Sequence, residues 1–361
     1  FISPIVSKNL AKGNMRKIQS ISIIGFVLAY ASYSLAKSPI HLYMSSFFVG
    51  LFYLNSTLIP VSMMVTNWFV EKRGIAMSVT MAGIGLGGTI FSPIVTNLLQ
   101  NYGWRHTYLI MAGIILVVAL PVALFVLKKS PEQMGLKAYG AEKQAANNAK
   151  QGTKKQGVLI SVKESKTKLF FLLMIVGMLA NGIINSGALG QFPPALEELH
   201  GASVQAAIIS LYSLVGIFGK IFIGWINDKF GVVVSATYGC IMFGLAFVFM
   251  LLGQNTNMLY IMAVVFGFGN AIGTVIPPLV TSEVFGMEKY PEAYGMVNSA
   301  TQVGLSLGSL LVASMYDLNG SYTLAWMLLL VLTAVTLFSW VGSCLAAKRY
   351  MASDVELKQA Q

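Results

Sequence analysis

The sequence predicts an all-α membrane protein. Hydrophobic residues make up 56% of the 361 residues and charged residues only 10%, and the mean hydropathy is +0.71. Soluble domains carry about 25% charged residues, so this composition is typical of a chain that crosses a membrane several times. The basic residues also stand in groups between apolar runs. Together these observations exclude a soluble protein of two or three domains.

Ten apolar runs define the predicted helices. Most exceed about 19 residues, which is long enough to span a bilayer core at about 1.5 Å per residue. Residues 1–6 look like the end of a further helix, so we expect the chain to lack its natural N-terminus. The ten runs are 18–36, 40–65, 75–99, 107–127, 169–191, 204–225, 232–253, 258–281, 293–315 and 322–346.

The basic residues test the order of these runs, because cytoplasmic loops of membrane proteins are rich in Lys and Arg. Loops on one predicted side contain all but three of the 24 basic residues; Lys37 and Arg105 lie on the other side, and Lys220 lies within a run. The N-terminal loop, the central linker and the C-terminus are therefore predicted to be cytoplasmic. The net charge of +11 follows mainly from this bias, which argues against a nucleic-acid partner.

A polar, lysine-rich stretch divides the runs into two groups. It predicts a flexible or partly helical cytoplasmic linker at 128–168. The other predicted domains are an incomplete N-terminal transmembrane half at 1–127, a C-terminal half of six helices at 169–346 and a cytoplasmic tail at 347–361. The segments 76–88 and 295–309 have similar sequences and equivalent places in the two halves, which indicates a duplication.

A short charged turn of the form GxxxD[KR]xG follows the second helix of the C-terminal half. Its residues are Gly224, Asp228, Lys229 and Gly231. Two six-helix halves joined by a basic loop and carrying this turn resemble the major facilitator superfamily. The resemblance implies the major facilitator fold, here with the first helix and most of the second missing from the first half.

Other stretches are similar to the branch that contains monocarboxylate transporters and oxalate/formate antiporters. They are NWFVEKRG from Asn67, TSEVFG from Thr281 and YDLNGSY from Tyr316, together with Lys220 four residues before Gly224. The resemblance implies a secondary transporter that moves a small organic anion, a monocarboxylate, by alternating access. Proton symport and anion exchange both remain open. The run 293–315 lacks the second lysine of oxalate/formate antiporters, so oxalate is a poor candidate.

Lys220 is the first candidate for substrate binding. A charge at membrane depth is costly and therefore indicates function. Tyr212, Gly216 and Lys220 are spaced i, i+4 and i+8, so we expect them to share a helix face. Lys220 is predicted to neutralise the carboxylate of the substrate, with Tyr212 beside it. The alternative is a structural lysine whose long stem bends to the inner surface.

Four amide side chains at membrane depth are further candidates. Asn181 and Asn185 share one face of a predicted helix, and Asn298 and Gln302 share a face of another. Amides at this depth either hydrogen-bond the substrate or hold one helix to another. Both interpretations remain open for each pair.

Charged residues at the predicted cytoplasmic helix ends are candidates for gating. Such charges would hold the two halves together in one state and release them in the other. The alternative is that they are solvated loop charges. The candidates are Asp228, Lys229, Glu283 and Arg73, with the turn glycines Gly224 and Gly231.

No metal, cofactor or catalytic site is predicted. Cys240 and Cys344 lie in apolar runs without partners at metal-ligand spacing, and no buried set of acid, base and nucleophile is present. We expect a monomer in the cell membrane whose partners are a small organic anion, protons in the case of symport, and the lipid bilayer. Two other functions remain open: a facilitator for a sugar, drug or nitrogenous metabolite, and a non-transporting membrane sensor.

Overall fold

The computed structural model describes residues 2–142 and 157–351 and is built from helices. Among these residues the only extended pairing is a single bridge between Phe69 and Tyr139. The predicted tail beyond 351 and the middle of the predicted linker, 143–156, lie outside the described residues. The α-helices are α1 (Ser3–Lys12), α2 (Met15–Ser32), α3 (Pro39–Ser56), α4 (Leu58–Trp68), α5 (Arg73–Pro121), α6 (Val162–Ser165), α7 (Leu169–Phe230), α8 (Val232–Leu251), α9 (Thr256–Gly269), α10 (Ile276–Asn319) and α11 (Thr323–Ala347).

Three of these helices are bent into two arms. The 62 residues of α7 would extend about 93 Å at 1.5 Å per residue, roughly three times the thickness of a bilayer core. The bends lie at Gly103 in α5 (φ 71°), Gly201 in α7 (φ 81°) and Gly286 in α10 (φ 68°). Glycine adopts a positive φ without the steric cost that a side chain would bring. The two arms of α5 and of α7 correspond to separate apolar runs of the sequence.

Seven helical stretches in the described part of the chain are long and apolar enough to cross a membrane. Two of them, Leu169–Phe230 and Thr256–Asn319, are more than 60 residues long and contain a bend. Large apolar side chains also point outward; Val117 is 72% exposed and Phe338 73%. Exposed apolar surface on this scale fits a lipid environment and not water. The protein is therefore an all-α, multi-pass membrane protein, which confirms the predicted fold class at this level.

The described residues form two compact units. Unit 1 contains residues 2–70 and 86–141, and unit 2 contains 71–85, 142 and 157–351. The first arm of α5 (73–102) therefore begins in unit 2 and continues in unit 1. The domain boundaries at 127 and 168 stay predictions.

A 3₁₀ turn, Asn270–Gly273, separates α9 from α10. The apolar run 258–281 had predicted one continuous helix at this place. Pro277 and Pro278 lie in the first turn of α10 and have no N–H. The carbonyls of Gly273 and Thr274 therefore lack the donors that a continuous helix would provide.

Aromatic rings fill the core of unit 2. The ring centroid of Phe192 in α7 lies 5.0 Å from that of Phe266 in α9 and 5.3 Å from that of Trp326 in α11. The ring of Phe243 in α8 lies 4.9 Å from that of Phe266. All four side chains are at most 3% exposed. Inclined ring pairs at these distances add about 0.5–1.5 kcal/mol each beyond the burial of their area.

Glycines allow the first arm of α7 (169–200) to approach the second arm of α10 (287–319). A Cβ added to Gly304 would lie 2.9 Å from the Cα of Gly182 and 2.9 Å from the amide nitrogen of Ile183. A Cβ added to Gly182 would lie 2.8 Å from the amide nitrogen of Leu305. The two helices thus meet backbone to backbone, a crossing that small residues permit in membranes.

The two described parts of the predicted linker, before 143 and after 156, are each hydrogen-bonded to their own unit. In unit 1, Val70 N donates to Tyr139 O (2.9 Å) and Tyr139 N donates to Trp68 O (2.8 Å). In unit 2, Val158 N donates to Val284 O (2.9 Å). The linker that the composition predicts is therefore bound to unit 1 before residue 143 and to unit 2 after residue 156.

We predict that Gly304→Ala destabilises the protein. Overpacking of a backbone contact typically costs about 1–3 kcal/mol, so the melting temperature in detergent should fall by several degrees. The matched control is Gly113→Ala in the second arm of α5, where an added Cβ would meet no atom within 4 Å. Equal melting temperatures for the two variants would contradict the close crossing of α7 and α10.

Candidate functional site

Lys220 lies in the second arm of α7 (202–230) and is 6% exposed. Its ammonium group donates to the backbone carbonyl of Met81 in α5 at 3.4 Å. Among the described residues no acidic side chain forms an ion pair with Lys220. The charge is thus buried with one partial compensation, a carbonyl dipole.

Tyr212 and Lys220 meet different helices. The ring of Tyr212 is 6% exposed and its centroid lies 5.1 Å from that of Phe266 in α9. A Cβ added to Gly216 would lie 3.8 Å from the Asn270 side chain, which follows α9. Positions i and i+8 differ by about 80° around a helix of 3.6 residues per turn, so the shared face is broad. Tyr212 faces α9, whereas Lys220 reaches α5.

Asn181 and Asn185 form a buried pair in the first arm of α7. The Nδ2 of Asn185 donates to the backbone oxygen of Asn181 (2.8 Å) and to its Oδ1 (2.9 Å). Asn181 is fully buried and its Nδ2 has no hydrogen-bond partner in the described part of the chain. The amide of Asn185 packs on Gly273 in the 3₁₀ turn after α9.

Asn298 and Gln302 lie in the second arm of α10. Asn298 is 4% exposed, and its Nδ2 also has no partner among the described residues. Gln302 is partly buried. Among the described residues no hydrogen bond joins these amides, or the pair in α7, to Lys220.

Asp228 caps the first turn of α5. The first N–H groups of a helix have no acceptor within the helix and form the positive end of its dipole. The Oδ1 of Asp228 accepts from Gly74 N at 2.6 Å, and its Oδ2 accepts from Ile75 N at 2.9 Å. One carboxylate from the end of α7 therefore satisfies two amides at the start of α5.

Gly224 and Gly74 bring the two helices together beside this cap. A Cβ added to Gly74 would lie 2.5 Å from the backbone oxygen of Gly224 and 2.6 Å from the Oδ1 of Asp228. A Cβ added to Gly224 would meet the hydroxyl of Ser78 and, at 2.5 Å, the backbone oxygen of Gly74. Any side chain at either position would separate the helices and lengthen the bonds to Asp228.

Arg73 extends this contact to the turn around Gly286. Its Nη2 donates to the Sδ of Met287 at 2.6 Å. Burial lowers the pKa of Arg73, and Tyr290, Glu283 and Asp228 raise it through their charge interactions. Arg73 therefore lies close to both predicted gating carboxylates. The structure brings Arg73, Asp228, Glu283 and Gly224 together, and we call this group with Gly74 and Met287 the inner contact.

Two predicted gating residues have other surroundings. The ammonium group of Lys229 lies 4.9 Å from the ring centroid of Trp225 and 5.2 Å from that of Phe230, so it is engaged by rings of its own helix end. Gly231 has a φ of 88° and joins α7 to α8, a conformation that favours glycine. Lys229 thus lies on the aromatic side of the turn and Gly231 shapes the turn.

Sequence reasoning missed the residues that meet these side chains. Met81 contributes a backbone oxygen, and Ile75 contributes a backbone N–H, so neither side chain carries a signal. Gly74 is the exception, because it stands directly before an apolar run, where a tight approach to the helix start was open to prediction.

Comparison with known proteins identifies the family. The model of the Major Facilitator Superfamily matches residues 10–231 and 170–352, which together cover most of the chain. The chain belongs to the Major Facilitator Superfamily. Members of this superfamily are transporters and not enzymes. The protein is therefore a transporter that is embedded in the lipid bilayer and has a small-molecule substrate.

Several relatives are named as monocarboxylate transporters. Monocarboxylate transporter 12-B of Danio rerio is 26% identical over 370 residues, which cover 91% of this chain and 74% of the relative. Monocarboxylate transporter 12 of Homo sapiens is 24% identical over 288 residues, 74% of this chain and 56% of the relative. The uncharacterized MFS-type transporter YhjX of Escherichia coli is 27% identical over 247 residues, 68% of this chain and 57% of the relative.

Solved structures agree on the fold. The human organic anion transporter MFSD10 (TETRAN) superimposes with a TM-score of 0.70 at 16% identity, covering 94% of this chain and 80% of that one. The transporter FucP in the outward conformation gives 0.67 at 11% identity, covering 95% and 86%. At these identities the likeness concerns the fold alone.

We predict that Asp228→Asn weakens the cap on α5. The amide keeps the shape but loses the negative charge and one acceptor, at a cost of about 1–2 kcal/mol. Hydrogen exchange at the Gly74 and Ile75 amides should then accelerate roughly 5- to 30-fold. Asp317→Asn, an exposed acid in the last turn of α10, is the matched control and should leave both amides unchanged. Unchanged exchange in Asp228→Asn would show that the carboxylate does not bind these amides in solution.

Proposed function

We propose that the protein transports a small organic anion, a monocarboxylate, across the cell membrane by alternating access. The observation that carries this proposal is the buried ammonium group of Lys220, for which the described residues provide no acidic partner. The names of the monocarboxylate transporter relatives support the same substrate class.

The electrostatics of Lys220 favour an anionic ligand. Removing an ammonium group from water costs several kcal/mol even after the protein relaxes. One hydrogen bond to a neutral carbonyl returns about 1–3 kcal/mol at most. A substrate carboxylate would supply the missing negative charge, so binding of an anion should stabilise this site more than binding of a neutral solute.

The position of Met81 argues against a lysine that bends to the inner surface. Met81 lies eight residues after Arg73, the first residue of α5. At about 1.5 Å per residue this is roughly 12 Å along the helix. The ammonium group therefore bonds about two turns inside α5, away from the helix end where it would meet water.

The buried amides offer donors to the oxygens of a substrate. Because the Oδ1 of Asn181 accepts from Asn185, the unpartnered group of Asn181 is its Nδ2, an N–H donor. Asn298 also has a buried Nδ2 without a partner in the described structure. A buried donor without an acceptor costs about 1–3 kcal/mol, which a carboxylate or hydroxyl oxygen would recover. We include Asn181, Asn185, Asn298, Gln302 and Tyr212 in the proposed substrate path.

The inner contact is our candidate gate. Opening of the inner side requires the first arm of α5 to leave α7, which breaks two bonds to Asp228 and separates Gly74 from Gly224. Glu283 and Arg73 would close and release with them, while Lys229 and Gly231 maintain the turn. This follows the general scheme in which a few contacts bias a two-state element.

We further propose that the protein is a monomer. We also propose that its N-terminal loop, linker and C-terminus are cytoplasmic, because most basic residues lie in those segments. Coupling is either proton symport or anion exchange. Uptake that depends on an inward proton gradient would indicate symport. Uptake that depends on an anion loaded inside the vesicles would indicate exchange.

We predict that Lys220→Gln removes most of the anion uptake. Loss of a charge-assisted hydrogen bond of about 1.5–3 kcal/mol should lower uptake of labelled lactate, pyruvate or formate roughly 10- to 100-fold in vesicles that carry the protein. Lys8→Gln, an exposed lysine of α1, is the matched control and should transport normally.

Two results would contradict this function. Unaltered uptake in a folded Lys220→Gln variant would remove the lysine from the substrate site. Binding of an anion without flux in the unsubstituted protein would favour a membrane sensor, and flux of a neutral solute alone would favour a facilitator for that solute.

A further inference from the structure

Lys289 binds the end of the linker through three backbone carbonyls. Its ammonium group donates to the oxygens of Val158 (2.6 Å), Leu159 (2.9 Å) and Ile160 (3.0 Å). An ammonium group has three N–H donors, so three consecutive carbonyls saturate it. We call residues 157–160 the linker segment.

The linker segment is also paired through its amides. Val158 N donates to Val284 O (2.9 Å) at the end of the first arm of α10, and Leu159 N donates to Tyr350 O (2.7 Å) after α11. The side chain of Val158 is 1% exposed. The segment is thus held by both its N–H and its C=O groups, as a short peptide is held by a sheet edge.

Gly157 lies directly on the bend of α10. A Cβ added to Gly286 would lie 3.0 Å from Gly157 N, and a Cβ added to Gly157 would overlap the backbone of Phe285 and Gly286. Gly286 has a φ of 68°, a conformation that sets the angle between the two arms of α10. The linker segment therefore fills the space beside the bend.

The same turn of α10 takes part in the inner contact. Met287 accepts from Arg73, and the charge of Glu283 acts on Arg73. Lys289 and Val284, which bind the linker segment, stand within two residues of these two positions in the sequence. One seven-residue turn, 283–289, thus binds the linker segment and meets the start of α5.

We propose that the linker segment is a bound peptide that holds the inner contact closed, with Lys289 as the residue that positions it. This inference rests on the inner contact being the gate of the proposed transporter. Release of the segment frees the bend at Gly286, so Met287 and Glu283 no longer stay opposite Arg73, and α5 leaves α7 more often.

Two variants release the segment from opposite sides. Lys289→Met keeps the stem and removes the three donors, whereas Gly157→Ala pushes the segment away from the bend. Lys163→Met, an exposed lysine of the adjacent α6, is the matched control. Hydrogen exchange at the Val158 and Leu159 amides should rise about 10-fold or more in both release variants and stay unchanged in the control.

A single cysteine at Ser78 reports the inner contact. Ser78 is 0% exposed and lies against Gly224. In a Ser78→Cys background with Cys240 and Cys344 replaced by Ala, we expect a maleimide to label slowly, and about 10-fold faster when Lys289→Met or Gly157→Ala is added. Combining the two release variants should add little, because each removes the same restraint.

The measurement separates this inference from the proposed substrate, since labelling needs no transport. Failure of monocarboxylate uptake with faster labelling in the release variants would overturn the substrate alone. Unchanged maleimide labelling, despite faster hydrogen exchange at Val158 and Leu159, would show that release of the linker segment does not open the inner contact. Free exchange of these two amides in the unsubstituted protein would overturn the bound segment itself, and this arm remains decisive if a variant fails to fold.

Discussion

The constraint on which this structure depends is that a chain in lipid must satisfy its backbone polar groups internally. Long helices meet that constraint, and every exception needs a named partner. The N–H groups at the start of α5 donate to the carboxylate of Asp228, and the buried ammonium group of Lys220 donates to the carbonyl oxygen of Met81. The break before Pro277 and Pro278 leaves two carbonyls without helical donors, and the side chain of Asn185 packs on Gly273 at this break. These exceptions are the places where the polar chemistry of the protein is concentrated.

The sequence predicts the helices well because their signal is one of length and apolar content, which lipid enforces along the whole chain. It also places Lys220 and Asp228, since charges stand out against apolar runs. It could not predict their partners, because Met81 and Ile75 contribute backbone atoms that are identical in every residue. The break in 258–281 was missed for a related reason: Pro277 and Pro278 lie within an apolar run, where composition outweighed the loss of two donors.

The two kinds of packing in unit 2 differ in how readily they separate. The aromatic core around Phe192 and Phe266 interlocks several large rings, so separating its helices would expose a large apolar area. The inner contact consists of a carboxylate on two amides and a glycine on a glycine. Its carboxylate and amides lie at a helix end, where water can replace both hydrogen bonds. Because glycine has no side chain, separating Gly74 from Gly224 would expose little apolar surface.

As the gate of the proposed transporter, a contact of this kind would gain from a restraint outside it. Water can replace these hydrogen bonds at little cost in free energy. The free-energy difference between a closed and an open state is then small, and a few additional interactions decide which state is favoured. The three bonds from Lys289 act on the turn that bears Met287 and not on α5 itself. In the proposed scheme they would therefore change the balance between the closed and open states without adding bonds to the contact between α5 and α7. In the proposed transporter, a linker segment fastened beside a glycine bend would thus adjust a gate whose own bonds are weak enough to break in each cycle.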